Sequence, residues 1–366
     1  MRIKAAVTRE QGAPYVIEEV ELAPPKKDEM LVRIVASGVC HTDDVARNQM
    51  IPVPLPAVFG HEGAGIVEEV GSEVTEFKVG DRVGISYGYC GKCRNCMTAH
   101  PNACIHLNEI NFGGVQPDGT TRLSLPDGTP LSTFFGQSSF ATYAVVNEKS
   151  AVKVEYDDID LALVAPMGCG IQTGAGAVLN RLKPPFGSTI AVFGCGTVGM
   201  SAIMAAKIAN CAKIIAVGGN PASLELAKEF GATHTVNRKE VDDVAAVIHE
   251  ITGGGCDFAI DTTGTETFVK KALASVGYYG TAVVLGATGD VTINIQQELM
   301  GDAKSLIGII EGDAISKLFI PKLLEYYKKG MFPFDRIVKF YPFEQINEAV
   351  ADSGSGKCIK AILRME

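Results

Sequence analysis

Residues 188–209 read STIAVFGCGTVGMSAIMAAKIA, an apolar strand-like run, a turn with three glycines and an apolar helix-like run. In the resulting G-x-G-x-x-G, Gly194 allows a tight turn, Gly196 lets backbone approach a pyrophosphate, and Gly199 lets the helix pack closely on the strand. A glycine-rich turn of an ordinary α/β protein is the alternative, but the flanking strand and helix favour a dinucleotide site at the helix N-terminus. The predicted cofactor-binding residues of this loop are Gly194, Gly196, Thr197, Val198 and Gly199.

Strand-like and helix-like runs alternate on the C-terminal side of this stretch, as in KIIAVGG (213–219) and SLELAKEFG (223–231). Such alternation is typical of a doubly wound parallel sheet, the Rossmann arrangement. The chain up to about residue 155 instead shows short β-rich runs punctuated by Gly, Pro and Asp, which predict an antiparallel β-rich domain. The predicted fold class is therefore α/β. The predicted domains are 1–170 (β-rich), 171–311 (Rossmann) and 312–366 (return to the first domain).

The end of the second Rossmann strand bears on the choice of cofactor. A NAD-binding fold normally has Asp or Glu there, about 20 residues after the glycines, where the carboxylate binds the ribose hydroxyls. This chain has Gly218 and Gly219 at that point, followed by Asn220. The missing carboxylate favours NADP, with the Gly-Gly backbone, Asn220 and Ser223 donating hydrogen bonds to the 2′-phosphate. NAD stays an alternative, as does a site that accepts both, since no Arg or Lys is expected immediately beside this position to bind a phosphate.

Four cysteines form a C-x2-C-x2-C-x7-C run on one short stretch. Four thiolates at this spacing can close a tetrahedral cage with no open position, as in a structural zinc site. An iron–sulfur cluster and a pair of disulfides are the alternatives, and the lack of a signal peptide argues against the disulfides. The predicted ligands are Cys90, Cys93, Cys96 and Cys104.

A second set of ligand types is spread over three motifs, GVCHTDD (38–44), FGHEGAG (59–65) and APMGCGIQTGAG (165–176). None of them forms a site alone. Together they can bring two thiolates and one imidazole to one point and leave a fourth position open, as a catalytic zinc requires.

Composition limits the other function classes. The chain has 366 residues, 46% of them hydrophobic, and a net charge of −9, which argues against nucleic acid as a partner. The N-terminal stretch lacks the apolar core of a signal peptide, and no apolar run approaches the roughly 20 residues of a membrane span. We therefore expect a cytoplasmic enzyme that acts on a small molecule.

With these residues in view, the chain resembles the zinc-dependent medium-chain alcohol dehydrogenase family over essentially its full length. Within that family it is most similar to the aryl- and benzyl-alcohol dehydrogenases. The family resemblance rests on GVCHTDD, FGHEGAGIVEEVG (59–71), VGDRV (79–83), CGKCRNC (90–96), FGCGTVG (193–199) and SGKCIKAIL (355–363). The subfamily resemblance rests on VPLPAVFGHEGAG (53–65), FFGQSSFATYA (134–144) and APMGCGIQTGAG.

The resemblance implies a GroES-like catalytic domain, two Zn²⁺ per subunit, and a role for each matching residue. Thr42 would take the alcohol proton, Asp43 would orient the ring of His61, and Glu62 would lie behind the catalytic metal. His41 and Lys360 would face the cofactor pyrophosphate. The ligands of the catalytic zinc would be Cys40, His61 and Cys169, and the cysteines at 90, 93, 96 and 104 would hold the structural zinc.

The implied reaction is hydride transfer from an aromatic or allylic primary alcohol to the nicotinamide, while Thr42 relays the proton. Many relatives end the relay at a His three positions after the Thr, where this chain has Val45. Release through the ribose and water, or through His41, is open, and an unchanged pH–rate profile in His41→Ala would exclude the second route. Candidate pocket residues with aromatic rings are Tyr87, Tyr89, Phe112, Phe134 and Phe135, which favour a flat apolar substrate. Ser86 lies where some relatives have a bulky Phe, which would leave more room near the zinc.

Two other function classes compete with this interpretation. A zinc-lacking quinone or enoyl reductase would keep the fold but not Cys40, His61 and Cys169. A crystallin-like or redox-sensing protein would bind the dinucleotide without turnover, which Thr42 argues against. By resemblance we expect a homodimer or homotetramer formed through residues 280–296.

Overall fold

The computed structural model describes residues 1–365, which form two compact units. The first unit comprises residues 1–169, 315–322 and the segment from 335 onward, and the second comprises 170–314 and 323–334. Among the described residues, no single helix is long and apolar enough to cross a membrane, and one bent pair, Leu161–Gly168 with Gly170–Leu182, meets the length and composition requirement together.

The strands are β1 Arg2–Thr8, β2 Val16–Leu22, β3 Glu29–Gly38, β4 Ala57–Val58, β5 Gly63–Val70, β6 Arg82–Ile85, β7 Leu123–Ser124, β8 Pro130–Leu131, β9 Tyr143–Asn147, β10 Ala151–Lys153, β11 Thr189–Phe193, β12 Lys213–Gly218, β13 His234–Asn237, β14 Cys256–Asp261, β15 Val276–Val284, β16 Ser305–Gly308, β17 Val338–Pro342 and β18 Lys360–Arg364. The α-helices are α1 His41–Arg47, α2 Arg94–Met97, α3 Leu107–Phe112, α4 Gly170–Gly176, α5 Thr197–Ile208, α6 Pro221–Phe230, α7 Val244–Thr252, α8 Glu266–Ser275, α9 Ser316–Lys328 and α10 Ile346–Gly354. Shorter 3₁₀ or π turns are Pro101–Ala103, Glu148–Ser150, Leu161–Gly168, Ala177–Leu182, Gln296–Met300, Glu311–Asp313, Phe334–Ile337 and Phe343–Gln345.

Two mainly antiparallel sheets build the first unit. One has the order β4-β1-β2-β7-β8, and the other has the order β10-β6-β5-β3-β18-β17, with β9 also paired to β3. Only the β17–β18 pair is parallel among the described strands of this unit. Side chains from both sheets share one core cluster, which includes Val7 of β1, Leu31 of β3 and Leu363 of β18. The predicted antiparallel β-rich domain is confirmed, and β18 lies inside its second sheet.

The second unit contains a six-stranded sheet of order β13-β12-β11-β14-β15-β16, in which every pair is parallel. The strand order reverses between β11 and β14, and ligands of such sheets bind at the carboxyl ends of the strands near that reversal. The loop with Gly194, Gly196 and Gly199 leaves β11 at this point and leads into α5. The predicted doubly wound parallel sheet is confirmed.

Helix α6 shows how local sequence sets the bounds of an element near this point. Asn220 caps the helix, because its Oδ1 accepts a hydrogen bond of 3.0 Å from the Ala222 N–H. Pro221 occupies the first turn, and Gly231 ends the helix with a φ of 122°, a conformation that favours glycine. The apolar side chains of Leu224, Ala227 and Phe230 are buried. The helix therefore starts at a fixed position directly after the end of β12.

Candidate active site

Three potential metal ligands converge in the first unit. Cys40 stands just before α1, His61 lies between β4 and β5, and Cys169 follows the 3₁₀ turn Leu161–Gly168. Their ligand atoms and a carboxylate oxygen of Glu62 all lie within 4.8 Å of one another. The His61 side chain is fully buried, yet its Nε2 has no hydrogen-bond partner among the described residues. A buried ring nitrogen without a partner is costly, so the pocket fits a metal ion, and two thiols with one imidazole suit zinc.

Asp43 fixes the ring of His61. Its Oδ1 lies 2.9 Å from His61 Nδ1 and accepts a hydrogen bond of 3.1 Å from the Gly60 N–H. Its Oδ2 accepts a hydrogen bond of 3.0 Å from the Cys40 N–H. Because a carboxylate only accepts hydrogen bonds, Nδ1 carries the ring proton, and the lone pair of Nε2 points toward the thiols. One buried carboxylate thus orients two of the potential ligands.

The electrostatics of this pair favour a bound cation. Hydrogen bonding with Cys169 and the nearby His61 ring lower the pKa of Cys40 well below its usual value, against the effect of burial. Burial lowers the pKa of His61, but Asp43 and Cys40 outweigh it and raise that pKa. Negative charge is therefore stabilised at the sulfur that faces the ring.

Glu62 and Lys360 form a buried ion pair beside the ligands. Lys360 Nζ lies 2.5 Å from Glu62 Oε2 and donates a hydrogen bond of 2.9 Å to the Val39 carbonyl. Burial raises the pKa of Glu62 to about 7, and Lys360 opposes that rise. A side chain in place of Gly38 would put its Cβ 2.0 Å from Glu62 Oε2, so glycine is required there. The ammonium of Lys360 is thus directed at Glu62, while its predicted contact with a pyrophosphate stays a prediction.

The first turn of α1 carries the other residues of the GVCHTDD motif. Thr42 Oγ1 lies 3.7 Å from Cys40 Sγ, at the rim of the ligand cluster. His41 is exposed. Val45 is buried in the core, so the position where many relatives have a His is closed to solvent. Thr42 therefore lies beside the thiol of Cys40, whereas Asp43 of the same turn contacts the ring of His61.

Aromatic rings enclose His61. The Phe135 ring stacks on the imidazole with centroids 4.5 Å apart, and the Phe134 ring meets it edge-on at 5.4 Å. Phe112 packs edge-on against both of these rings. Phe135 adopts a φ of 52°, a strained value for an aromatic residue. These rings form an apolar wall, and two of them contact a potential ligand directly.

Ser86, a candidate pocket residue, lies beside the segment that carries Cys169. It is buried, its Oγ donates a hydrogen bond of 2.7 Å to the Gly168 carbonyl, and Ser316 Oγ lies 2.9 Å away. The hydroxyl therefore ties β6 to the segment that carries Cys169. Tyr87 is buried and packs against the partly buried Tyr89 with ring centroids 6.0 Å apart.

Gln137 is a site residue that sequence reasoning missed. Its Nε2 donates hydrogen bonds to the carbonyls of His61 and Ser86, and its Oε1 accepts one from the Gly63 N–H. It thus fixes the backbone on both sides of the His61 segment. The signal was its place in FFGQSSF beside Phe134 and Phe135, but an amide side chain alone does not indicate such a role.

The four clustered cysteines also converge. Their sulfurs lie within 4.8 Å of one another, with Cys96 Sγ 3.5 Å from Cys93 Sγ and 3.9 Å from Cys90 Sγ. A tetrahedron with arms of about 2.3 Å has edges of about 3.8 Å, so one zinc ion fits this set. The N–H groups of Cys96 and Ile105 lower the pKa of Cys93 to about 6, which favours the thiolate. All four are free thiols, so the predicted disulfide alternative is not what the structure has.

The glycine-rich loop of the second unit has space where a cofactor would lie. A Cβ on Gly199 would stand 1.8 Å from the Gly194 carbonyl oxygen, and Gly194 has a φ of 101°, so packing and turn geometry require both glycines. A Cβ on Gly196 would meet nothing within 4 Å. The protein's own packing does not require glycine at 196, which fits a position left open for a pyrophosphate. Thr197 and Val198 begin α5 directly beside it.

Two basic residues near Gly219 were missed by sequence reasoning. Arg238 and Lys239 directly follow β13, the strand that neighbours β12 in parallel, and both reach the end of β12. Adjacent parallel strands end at the same edge of a sheet, which is the signal that could have found them. The expectation that no Arg or Lys lies beside this point holds along the chain but is wrong in space.

Two sequence models of known families match the chain. The alcohol dehydrogenase GroES-like domain matches residues 26–156, and the zinc-binding dehydrogenase family matches residues 197–326. Among curated proteins, geraniol dehydrogenase of Castellaniella defragrans is 43% identical over 363 residues, which are 98% of this chain and 97% of that protein.

Solved structures show the same similarity in three dimensions. An alcohol dehydrogenase zinc-binding domain protein from Burkholderia ambifaria is 49% identical, with a TM-score of 0.97 over 100% of this chain and 99% of that one. Benzyl alcohol dehydrogenase from Acinetobacter calcoaceticus is 44% identical, with a TM-score of 0.96 over 100% of both chains. The similarity therefore covers the potential ligands, the cysteine cluster and the glycine-rich loop together.

Proposed function

Because this chain belongs to the zinc-dependent medium-chain alcohol dehydrogenase family, we propose that it interconverts aromatic or allylic primary alcohols and their aldehydes with NADP as hydride carrier. The family and the GroES-like and Rossmann domains predicted from the motifs are thereby confirmed. Cys40, His61 and Cys169 lie together, which disfavours a zinc-lacking reductase.

The aromatic wall at His61 carries the proposal on substrate class. Phe112, Phe134 and Phe135 border the ring of a potential zinc ligand, so an alcohol at the metal would place its carbinol carbon beside apolar rings. Such rings favour flat or unsaturated groups through edge and face contacts. Relatives named for benzyl alcohol and geraniol, an aromatic and an allylic primary alcohol, support this class.

The chain's own residues would position the reactants and move the proton. Cys40, His61 and Cys169 would hold a zinc ion, which would supply Lewis-acid chemistry for the alcohol oxygen, while a bound nicotinamide would supply the hydride acceptor. Thr42 would accept the alcohol proton at its Oγ1, which stands at the rim of the ligand cluster. Asp43 holds the proton on His61 Nδ1, and the aromatic wall beside this ring would exclude water from the reacting carbon.

Two further site proposals concern the second metal and the cofactor. Cys90, Cys93, Cys96 and Cys104 would hold the structural zinc, away from the chemistry. The loop from Gly194 to Gly199 would bind the pyrophosphate, and the Gly218–Gly219 backbone with Asn220 and Ser223 would border the ribose.

We also propose that the protein forms a homodimer or homotetramer through the segment 280–296. This segment begins with the last residues of β15, which pairs with β16, one of the two edge strands of the six-stranded sheet, and it includes the exposed Ile295. Light scattering coupled to size-exclusion chromatography would distinguish the two states, and a monomer at micromolar concentration would contradict both.

Initial rates with the zinc-loaded enzyme test the activity. We expect kcat/KM for benzyl alcohol and geraniol to exceed that for ethanol by at least about 100-fold, and NADP to be preferred over NAD. Comparable rates with ethanol would contradict only the proposed substrate class, and a preference for NAD would contradict only the proposed use of NADP. Thr42→Val should lower kcat by about 10²–10⁴-fold, whereas Thr42→Ser, which keeps the hydroxyl, should retain most of it.

A further inference from the structure

We propose that Arg238 and Lys239 bind the 2′-phosphate of NADP and so determine the choice of dinucleotide. The inference rests on the proposed use of NADP and names the residues that would produce it. Both residues lie in the second unit, directly after β13.

The geometry places the two cations at the end of β12. A Cβ built on Gly219 would stand 3.0 Å from Arg238 Nε and 3.1 Å from Lys239 Cε. The Arg238 N–H donates a hydrogen bond of 2.9 Å to the Gly218 carbonyl, so the backbone of this turn is fixed to the strand end. In this fold the ribose hydroxyls of a dinucleotide are bound at that strand end. The cations therefore lie where the 2′-phosphate, the group that distinguishes NADP from NAD, would be bound.

Neither cation has an acidic partner. Among residues 1–365, no carboxylate forms an ion pair with Arg238 or Lys239, and both side chains are exposed. The nearest acidic residue in the chain, Glu240, instead accepts a hydrogen bond of 2.6 Å from Asn237 Nδ2. The guanidinium of Arg238 lies 5.3 Å over the ring of Phe268, which restrains its position without neutralising its charge. Both groups are thus available for an anion.

Tight packing at the strand end favours glycine over a residue with a side chain at position 218. A Cβ on Gly218 would stand 3.0 Å from Cys195 Sγ and 3.1 Å from Leu224 Cδ2. An Asp at that position would therefore require the thiol in the glycine-rich loop to move. Asn220 uses its Oδ1 to cap α6, which leaves its amide N–H groups as donors. Two cationic side chains therefore lie beside Gly219, and Arg with Lys is a combination that suits a phosphate dianion.

The test uses two probes that differ only in the 2′-phosphate. Titration calorimetry would measure the dissociation constants of adenosine 2′,5′-bisphosphate and adenosine 5′-monophosphate. The proteins would be the full-length wild type and its Arg238→Ala, Lys239→Ala and double variants. We expect the wild type to bind the bisphosphate more tightly, and the double variant to lose about 100-fold in that affinity with less than about twofold change for the monophosphate. Arg238→Lys should retain part of the preference.

Lys228→Ala is the matched control, because this exposed lysine of α6 already pairs with Glu225. It should leave the affinity of both probes unchanged. Equal losses on both probes in the double variant would overturn the inference, and so would full retention of the bisphosphate preference. The latter result would leave NADP use intact, whereas a wild type that binds both probes equally would overturn the inference together with the proposed use of NADP.

Discussion

Asp43 combines three hydrogen bonds in one buried carboxylate, to His61 Nδ1 and to the N–H groups of Gly60 and Cys40. All three partners are donors, so the site requires an acceptor on both oxygens. When a residue that hydrogen-bonds to a metal ligand is replaced, metal affinity or activity commonly falls by about 10–100-fold. A metal site of this kind therefore depends on a residue that never contacts the metal.

Replacement of Asp43 by Asn keeps the shape but presents an N–H group to one of these donors. We expect zinc affinity to fall by about 10–100-fold, measured by competition with a chromophoric chelator. Asp44→Asn is the control, because this neighbour pairs with Arg47 outside the ligand cluster. Equal affinities for Asp43→Asn and the wild type would contradict the orienting role.

The sequence alone was enough to predict those site residues whose chemistry is evident in a local motif. Cys40, His61 and Cys169 are residue types that commonly bind metals, and the structure brings their ligand atoms together. Gln137 and Arg238 act through distant backbone and a neighbouring strand, so nothing in their own sequence context indicates a role. Pairing of strands decides which side chains become neighbours, and this is a property of the folded chain.

At the scale of elements, the segment from Cys90 to Cys104 contains little regular structure apart from α2 and one short 3₁₀ turn. Its sulfurs accept hydrogen bonds from the chain itself, including one of 3.3 Å from the Cys93 N–H to Cys90 Sγ. Because residues 91–100 are mostly exposed, the segment would depend on a bound metal for order. The binding free energy of a structural zinc contributes directly to the free energy of folding.

Cys93→Ser should therefore remove one zinc per chain and lower the midpoint of thermal unfolding. Elemental analysis would follow the zinc, and calorimetry the unfolding. Cys211→Ser, at a cysteine outside both ligand clusters, should change neither quantity. Full zinc content in the Cys93 variant would show that the cluster does not bind as a tetrahedral set.

Helix α10 is fastened to β17 through a single acidic residue. Asp352 accepts hydrogen bonds of 2.7 Å from Tyr341 Oη, 3.0 Å from Lys339 Nζ and 3.2 Å from Lys357 Nζ. These partners, Tyr341 first, hold the pKa of Asp352 well below its usual range. The carboxylate therefore stabilises the folded chain fully above the unfolded pKa of about 3.9, and this stabilisation is lost as the pH falls below that value.

Asp352→Asn should be less stable than the wild type in urea unfolding at pH 7, and the two should converge as the pH is lowered from 5 toward 3. Asp157→Asn serves as control, since the Asp157 side chain is 99% exposed. A difference in unfolding free energy that stays constant over this range would mean that the charge of Asp352 is not involved.

At the scale of the whole molecule, the first unit is assembled from distant parts of the chain. Residues 62 and 360 form a buried ion pair, and β18 lies between β3 and β17 in the second sheet. Removing one partner of such a pair leaves an uncompensated buried charge, which typically costs about 3–5 kcal/mol. The pair thus couples the ligand segment around His61 to the C-terminal strand.

We expect Lys360→Met to lower the free energy of unfolding of the zinc-loaded protein by about 3–5 kcal/mol, measured in urea. The double variant Glu62→Gln/Lys360→Met should recover part of that loss, because neither charge then remains. If the two single effects simply add in the double variant, the residues are not coupled and the interpretation of the pair is wrong.

The position of β18 also has a consequence for biosynthesis. β3 pairs with β18 through Gly38 and Ile362, and Lys360 stands 322 residues after Gly38. At roughly 5–20 residues per second, a ribosome needs on the order of 16–64 s to bridge that distance. During this interval residues 36–38 of β3 lack the partner strand β18, although β5 and β9 can already pair with β3, and Cys40, a potential zinc ligand, follows shortly after. Cys40 and His61 are therefore accessible to chaperones and to cellular metal ions before the sheet that encloses them is complete.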